Sequence, residues 1–573
     1  MTVKLISLRL IIGIVIGIGV DRIWTSVTSR ESHQIVTGVT DVMTRFMLQE
    51  KNYSSKQNVE IVEKRPKDLH TPTFNNHDKL FPYDKYTLFG MEWKSMAEEF
   101  ELAYSNLNRE DVTRIQPFSI GTNNFGVSST THSRVYFHDD THVTKGGHIH
   151  VVIETFDKYG NQRKKGGDMF EAVMSNEKLV KSTSGRVTDY GNGTYSVHFY
   201  AAWAGEANIS IFMRFTREML QFINKERSGE GHMEWTGVYS AGRDTEEVDC
   251  KIIRDGTWED KCSYKNRNSF ASTMFVCDKP KSFTCKELIS VNPTPTNVKD
   301  ESVQVERKRA SYIFASRQKS ILASTPMKIK IKDSSSILPP LPLCGPDLPV
   351  PISDGYWTDN VTYVSLVCKS QHWNSAQIEK CLSNVSIKMF GDSTIFQLGQ
   401  SIRAKYNLGD YTIEPKAYFP LGPTFFNIRL ESEFLDTITK EMCESRPTVV
   451  VMNIIFHYFT WSIPSYLDRL YATRFSVERL LSRCPTVKVF LQTSHPGIDF
   501  DDMQTYFSGP WVGFDMDRMI RRVFGGMGVY FLGVSQMTSS HLSRIELHSN
   551  RLVIDERVNL LLSYICPTQV ESV

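Results

Sequence analysis

The sequence predicts a multidomain chain, an antiparallel β-sandwich followed by an α/β domain with a mainly parallel sheet. Three observations carry that reading. Between about residues 131 and 216 the apolar residues recur with period two, as in Ile149, Val151 and Ile153 against His150, Val152 and Glu154. That is the pattern of strands with one buried face. Beyond residue 341 a strand at 385–390 is followed by apolar runs at 448–453 and 487–491, as suits parallel strands covered on both faces. Helically spaced stretches lie between them, Ser465–Leu481 being the clearest. Alternating strands and helices imply a doubly wound sheet whose ligands bind at the carboxyl ends of its strands.

The chain has 573 residues, enough for two to four domains, and an ordinary globular composition of 40% hydrophobic and 23% charged residues. A formal net charge of +2 leaves no electrostatic footprint for nucleic acid. Residues 1–24 hold Lys4 and Arg9 ahead of the apolar run Leu10–Val20, which Asp21 and Arg22 end. The run reads as a signal peptide or a type II signal anchor, and either one sends the rest of the chain into the secretory pathway. Any membrane association rests on this segment alone. Sequons at Asn52, Asn192, Asn208, Asn360 and Asn384 agree with that route, as do ten cysteines.

Residues 25–84 are polar and read as a stem or lead-in. Residues 85–130 include a helical pattern from Glu92 to Leu107, with Trp93, Met96, Phe100 and Leu107 on its apolar positions. In the sandwich, 131–216, the turns fall at Asp157–Asn161, Gly166-Gly167 and Tyr190–Tyr195, and the loop and strand order resembles a filamin-type immunoglobulin repeat. His142, His148 and His150 are close in sequence, but His148 and His150 fall on the exposed face of an alternating strand, so no metal site is read there. Cys250, Cys262, Cys277 and Cys285 mark a segment, 217–290, that extends the sandwich. Residues 291–340 read as a linker rich in Pro and Ser, with the basic triplet Arg307–Arg309 read as solvated. The cysteines at 344, 368, 381, 443, 484 and 566 belong to the α/β part, 341–573. Both groups are even in number, so disulfides within each part are allowed, with connectivity open.

Chemistry points to the junction after the first strand of the α/β part. Gly391-Asp-Ser393 follows a strand and opens a helix at Thr394–Ile402. A serine there sits at the carboxyl edge of a sheet, with its backbone N–H at a helix N-terminus that can stabilise an oxyanion. A serine nucleophile needs a base, an orienter and oxyanion donors. His548, in a polar loop before the final helix at 554–564, is the candidate base. Asn453, at the end of the next strand, is a candidate oxyanion donor, as are the backbone of Ser393 and that of Gly422. His457 and His541 are rival bases, the first a possible packing residue and the second read as a surface residue, while His495-Pro-Gly497 reads as a turn. The acidic run Asp499–Asp502 lacks the spacing of a calcium loop.

Taken together, the Gly391-Asp-Ser393 block, the Asn453 strand, the histidine before Leu560–Cys566, and the sandwich motifs Lys165–Asp168, Val187–Asp189 and Asn192–Tyr195 resemble the neurexophilin and PC-esterase domain family, over roughly 85–573. The resemblance implies a neurexophilin-like, immunoglobulin-type domain joined to an SGNH-hydrolase-like acyl esterase or acyltransferase domain. It implies as substrate an acylated glycan or glycoprotein of the secretory pathway or cell surface, and for the sandwich an extracellular protein partner. The serine mechanism calls for no metal or other cofactor. The sequence departs from the family near the histidine, where Gln536-Met-Thr538 replaces Asp-Met-Thr. Ile545 occupies the position three before His548, leaving Glu546 as the nearby carboxylate. A secreted binding glycoprotein that keeps the esterase fold without turnover is the competing expectation.

Overall fold

The computed structural model describes residues 127–569, apart from 139–141, 229–233, 255–258, 265–272, 294–320, 336–340, 347, 349–350, 407–412, 418–430, 460, 462, 497–508 and 544–546. The N-terminal segment, the stem, nearly all of 85–130, Asn52, the Arg307–Arg309 triplet, Gly422, the acidic run at 499–502 and Glu546 lie outside these residues. Among the described residues no helix is long and apolar enough to cross a membrane.

Seven strands open the folded part: β1 (Arg134–Phe137), β2 (Val143–Thr144), β3 (His148–Glu154), β4 (Met169–Asn176), β5 (Lys181–Asp189), β6 (Thr194–Tyr200) and β7 (Gly205–Phe215). After helix α1 (Arg217–Ser228) come β8 (Glu234–Ala241), β9 (Asp244–Arg254), β10 (Lys261–Tyr264), β11 (Thr273–Asp278), β12 (Leu288–Pro293) and β13 (Ile321–Lys332). A short hairpin, β14 (Gly355–Trp357) and β15 (Tyr363–Ser365), leads into the C-terminal part.

The first sheet runs β1-β3-β6-β5-β4-β7-β13-β2, with the β14–β15 hairpin joined to β5. It curls at β5, whose residues 181–185 pair with β4 and whose residues 186–189 pair with β6. Gly185 sits at this crossing because a Cβ there would lie 2.6 Å from the Phe199 ring. The curl lets one core take inward residues from both arms: Ile149, Val151, Val197 and Phe199 from one, and Ala172, Met174, Ile209, Ile211 and Ile329 from the other. The period-two pattern that marks β3, β4 and β7 is the record of that one buried face.

Three sequence expectations change here. Residues 321–332, within the stretch read as linker, form β13, antiparallel to β7. The alternation Met327-Lys-Ile-Lys-Ile-Lys332 is strand-like, but its partner is more than a hundred residues away, and Pro326 falls at the break in the register between Leu322 and Met327. The four-cysteine segment does not extend the first sheet. It forms a separate antiparallel sheet, β10-β11-β9-β8-β12. Its core residues Trp235, Tyr239 and Val291 join a cluster shared with the α/β part. The hairpin β14–β15, placed by sequence in the α/β domain, belongs to the first sheet.

The α/β part contributes α2 (Ser375–Leu382), β16 (Ser386–Gly391), α3 (Ser393–Tyr406), β17 (Ile413–Ala417), α4 (Glu431–Asp436), α5 (Lys440–Ser445) and β18 (Thr448–Asn453). It continues with α6 (Ile463–Arg483), β19 (Lys488–Gln492), α7 (Pro510–Phe524), β20 (Tyr530–Leu532), α8 (Ser535–Ser539) and α9 (Arg551–Ile565). The sheet order is β17-β16-β18-β19-β20, and every pairing is parallel. Numbered within the sheet this is 2-1-3-4-5, with the topological switch between β16 and β18. Successive strand residues divide between two cores. Val450, Met452, Val489 and Leu491 pack against α6 and α7, whereas Val449, Val451, Phe490, Ile387 and Met389 pack against α3 and α9. Burial on both faces is why β18 and β19 read as apolar runs. β17 escapes that signal because it carries Pro415, tolerated at a sheet edge that needs no second ladder.

All ten cysteines are paired, as Cys250–Cys277, Cys262–Cys285, Cys344–Cys368, Cys381–Cys566 and Cys443–Cys484. Five disulfides suggest an oxidising compartment, as in the secretory pathway or outside the cell.

Candidate active site

The site is built at the switch point. β16 ends at Gly391, whose register partner across the sheet is Asn453. A Cβ on Gly391 would lie 2.6 Å from the Asn453 carbonyl oxygen and 2.9 Å from its nitrogen, so only glycine lets the two strands close here. Asp392 then caps α3. Its Oδ1 accepts from the Thr394 N–H at 2.9 Å and from the Thr394 hydroxyl at 2.6 Å. This turn places Ser393 at the first residue of α3, half-buried at the carboxyl edge of the sheet.

His548 reaches the same point from the loop before α9. Its Nε2 lies 2.8 Å from Ser393 Oγ. With the imidazole proton on Nδ1, the serine hydroxyl donates to Nε2, the arrangement in which a histidine can take a serine proton.

Thr394 Oγ1 is a hub behind the serine. It accepts from Asn453 Nδ2 at 3.1 Å and from Gln492 Nε2 at 3.3 Å while donating to Asp392. Asn453 is also fixed through Oδ1, which accepts from Ile455 N–H at 3.0 Å. Its amide is therefore held at the sheet edge one residue from Ser393, with one of its two N–H groups committed to Thr394.

Sequence reasoning found Ser393, Asn453 and His548 but not Asp392, Thr394, Gln492, His495, Ser549 or Arg557. Gln492 and His495 had a usable signal. Both follow an apolar strand at its carboxyl end, as Asn453 does, and both are buried, at 1% and 2% exposure. His495 is thus buried just past the end of β19. Its Nε2 donates to the Leu547 carbonyl at 2.8 Å. Burial, together with the charges of Arg557 and His548, holds its pKa well below the usual histidine range.

The rival bases take other places. His541 is buried rather than on the surface. Its Nε2 donates to the Asn360 carbonyl at 2.9 Å and its ring meets Trp357 edge-on. His457 is half-buried in a 3₁₀ turn after β18. Gln536, which stands in the place of the family's aspartate, is engaged with the first sheet. Its Oε1 accepts the Asp354 N–H at 2.7 Å, and with Trp357 Nε1–H on the Met537 carbonyl at 3.0 Å and Ser182 Oγ on the Ser540 carbonyl at 2.5 Å it ties α8 to the first sheet. The chain leading to the His548 loop is thus fastened by β5 and the β14–β15 hairpin.

Of the sequons, Asn192 and Asn384 are exposed and Asn208 and Asn360 half-buried. Asn208 lies in the middle of β7, between Ser175 and Lys328. Asn360 Oδ1 accepts the Leu542 N–H at 3.0 Å. His148 and His150 are half-buried rather than exposed. They stack with His198, at centroid separations of 4.9 Å and 4.5 Å, and His138 stacks on His150 at 4.4 Å. The register His150↔His198 brings these rings together. Among the described residues no group of three or more His, Cys, Asp or Glu is placed to hold a metal ion.

Two family models match the chain. One, described as neurexophilin, covers residues 135–296, and the other, described as the NXPE family member 4-like C-terminal domain, covers 417–566. The chain belongs to the neurexophilin and PC-esterase domain family. The NXPE-type domain thus carries Asn453 and His548, with Ser393 just ahead of the matched segment. Similar solved structures include a putative acylhydrolase from Bacteroides fragilis, 15% identical, covering 32% of this chain and 88% of that chain with a TM-score of 0.25. A GDSL-like lipase from Bacteroides thetaiotaomicron is 11% identical, with 35% and 92% covered and a TM-score of 0.24. Est24, a carbohydrate acetylesterase from Sinorhizobium meliloti, is 14% identical, with 32% and 99% covered and a TM-score of 0.22.

Proposed function

We propose that this chain is a serine-dependent acyl esterase or O-acyltransferase acting on glycans or glycoproteins in the secretory pathway or at the cell surface. The observation that carries the reading is the 2.8 Å contact between Ser393 Oγ and His548 Nε2, made where a doubly wound sheet offers its ligand crevice. In this mechanism Ser393 Oγ attacks the acyl carbonyl as His548 Nε2 takes its proton. The oxyanion of the tetrahedral intermediate faces the N-terminus of α3, the Ser393 backbone N–H and the second N–H of the Asn453 amide. The C–O bond to the leaving alcohol then breaks, and His548 returns the proton to that alcohol. Water, or a sugar hydroxyl in a transferase, attacks the acyl-enzyme and frees Ser393.

The glycan substrate is carried by the family resemblance, and the luminal setting by the disulfides and sequons. We read the first domain as an immunoglobulin-type sandwich that binds an extracellular protein. A second reading has its own support. Ile545 stands where the base would find its acidic partner, which favours a binding glycoprotein that keeps the fold without turnover. A fluorophosphonate probe on the purified chain separates the two. Labelling that is lost in Ser393→Ala and in His548→Ala supports the enzyme, and no labelling of cooperatively folded wild type refutes it.

A further inference from the structure

Two buried amides meet on one hydroxyl beside the nucleophile. Thr394, Asn453 and Gln492 are 3%, 2% and 1% exposed. They come from three neighbouring elements at one level of the sheet. Thr394 is in the first turn of α3, Asn453 ends β18, and Gln492 ends β19, one rung beyond the Met452↔Leu491 pair. A hydroxyl has one proton to give and two lone pairs to offer. Thr394 gives its proton to Asp392 Oδ1, which leaves the lone pairs for Asn453 Nδ2 and Gln492 Nε2. The junction is therefore saturated, and it fixes a direction. An Asn453 amide turned over would set its oxygen against a hydroxyl whose proton is already spent. Its NH2 would then meet the Ile455 N–H that Oδ1 now accepts. Asn453 is thus held in one orientation, with its other N–H left for a ligand at the sheet edge. Gln492 adds a second sign of purpose. Its Oε1 is buried and meets no partner among the described residues. An unpaired buried acceptor costs free energy, and an apolar residue ending an apolar strand would avoid that cost. What Gln492 supplies is a donor for the second lone pair of Thr394, which pins the hydroxyl against rotation.

We propose that Thr394 and Gln492 are positioning residues for Asn453, holding its amide so that the second N–H faces the oxyanion formed when Ser393 attacks. The inference rests on the reading of Ser393 and His548 as the reacting pair. The junction keeps the donor in place before charge develops, so no reorganisation is needed as the tetrahedral intermediate forms. Thr394 acts through Asn453, and that gives it a signature of its own.

The test uses the full chain and the second-order rate of fluorophosphonate labelling, with thermal melting alongside. In this reaction Ser393 Oγ bonds to phosphorus, fluoride leaves, and the phosphoryl oxygen gathers charge where the acyl oxyanion would. Thr394→Val keeps the branched shape and the backbone N–H on Asp392 but removes the hydroxyl. It is expected to slow labelling by roughly 10- to 100-fold, the range for a misplaced catalytic group. Thr394→Ser, which restores the hydroxyl, recovers most of the rate. Asn453→Ala deletes the donor outright and should cost roughly 100- to 1000-fold. Adding Thr394→Val to Asn453→Ala should then change the rate by less than about 2-fold, since no amide is left to orient. A threonine that only supports the fold would slow both backgrounds alike. Folded Thr394→Val protein that labels at the wild-type rate overturns the proposal while leaving the serine reading intact. So does a Thr394→Val effect that is as large on Asn453→Ala as on wild type. A folded wild type that does not label at all overturns that reading and the junction with it. If Thr394→Val fails to fold, Gln492→Met decides the matter in the same cycle. It should label roughly 10-fold more slowly on its own and add nothing to Asn453→Ala, and a wild-type rate overturns the junction.

Discussion

Replacing Gly391 by alanine tests whether the switch point needs two strands in backbone contact. The added Cβ would stand 2.6 Å from the Asn453 carbonyl oxygen, 2.9 Å from its nitrogen and 2.9 Å from Ile395 Cγ1. Ordinary contact begins at 3.4 Å, and two of the three atoms are backbone, with no rotamer to turn aside. Overpacking of this sort costs about 1–3 kcal/mol. The strain must open the β16–β18 register at its carboxyl end or displace Ser393 along α3. Either movement reaches the 2.8 Å contact with His548. For a domain of this size each kcal/mol lowers the melting temperature by roughly 2–4 °C. Gly391→Ala is therefore expected to melt about 2–12 °C lower and to lose most fluorophosphonate labelling. Calorimetry and labelling on the same sample read both effects. A variant that melts within 1 °C of wild type, by the same roughly 2–4 °C scale, and labels at full rate would show the reasoning to be wrong.

Three further outcomes follow from the packing and the buried charges. Burial raises the Asp189 pKa from 3.8 to about 6, so its contribution to stability is fully present below the unfolded value and is lost as pH rises through 6. Asp189→Asn should narrow the wild-type advantage at neutral pH relative to pH 4 by on the order of 1–3 kcal/mol, read from melting curves across that window. The Cys381–Cys566 bridge spans 185 residues and joins α2 to the end of α9. Its double alanine variant should lose about 2–5 kcal/mol, and a melting temperature equal to wild type would count against that bridge. Trp357→Phe keeps an aromatic ring against His541 but removes the N–H held by the Met537 carbonyl. The loss should be about 1–3 kcal/mol, since that carbonyl is left buried without its donor, with slower labelling because α8 leads into the His548 loop. Unchanged labelling would separate the first sheet from the site.

The alternation in β3, β4 and β7 and the apolar runs of β18 and β19 were legible because one-sided and two-sided burial leave different periods in a sequence. Ser393 was legible for a related reason, since strand, glycine and helix follow one another without a gap. β13 and the β14–β15 hairpin were harder. Their partners are distant in the chain, and pairing between distant segments is decided by closure of the whole sheet rather than by any local pattern. His495 and Arg557 were hidden because a histidine before Pro-Gly and an arginine on a helix both look like surface residues until burial is known.

The sequence by itself determined the period of each strand, the place of the nucleophile at a helix start, and the even distribution of cysteines between two regions. All of these are local, written by which side of an element must leave water. Only the tertiary structure decided that His548 meets Ser393 across 155 residues and that Gly391 must yield to Asn453. Those facts depend on where the carboxyl ends of parallel strands converge, and that is fixed by packing the two cores against one sheet.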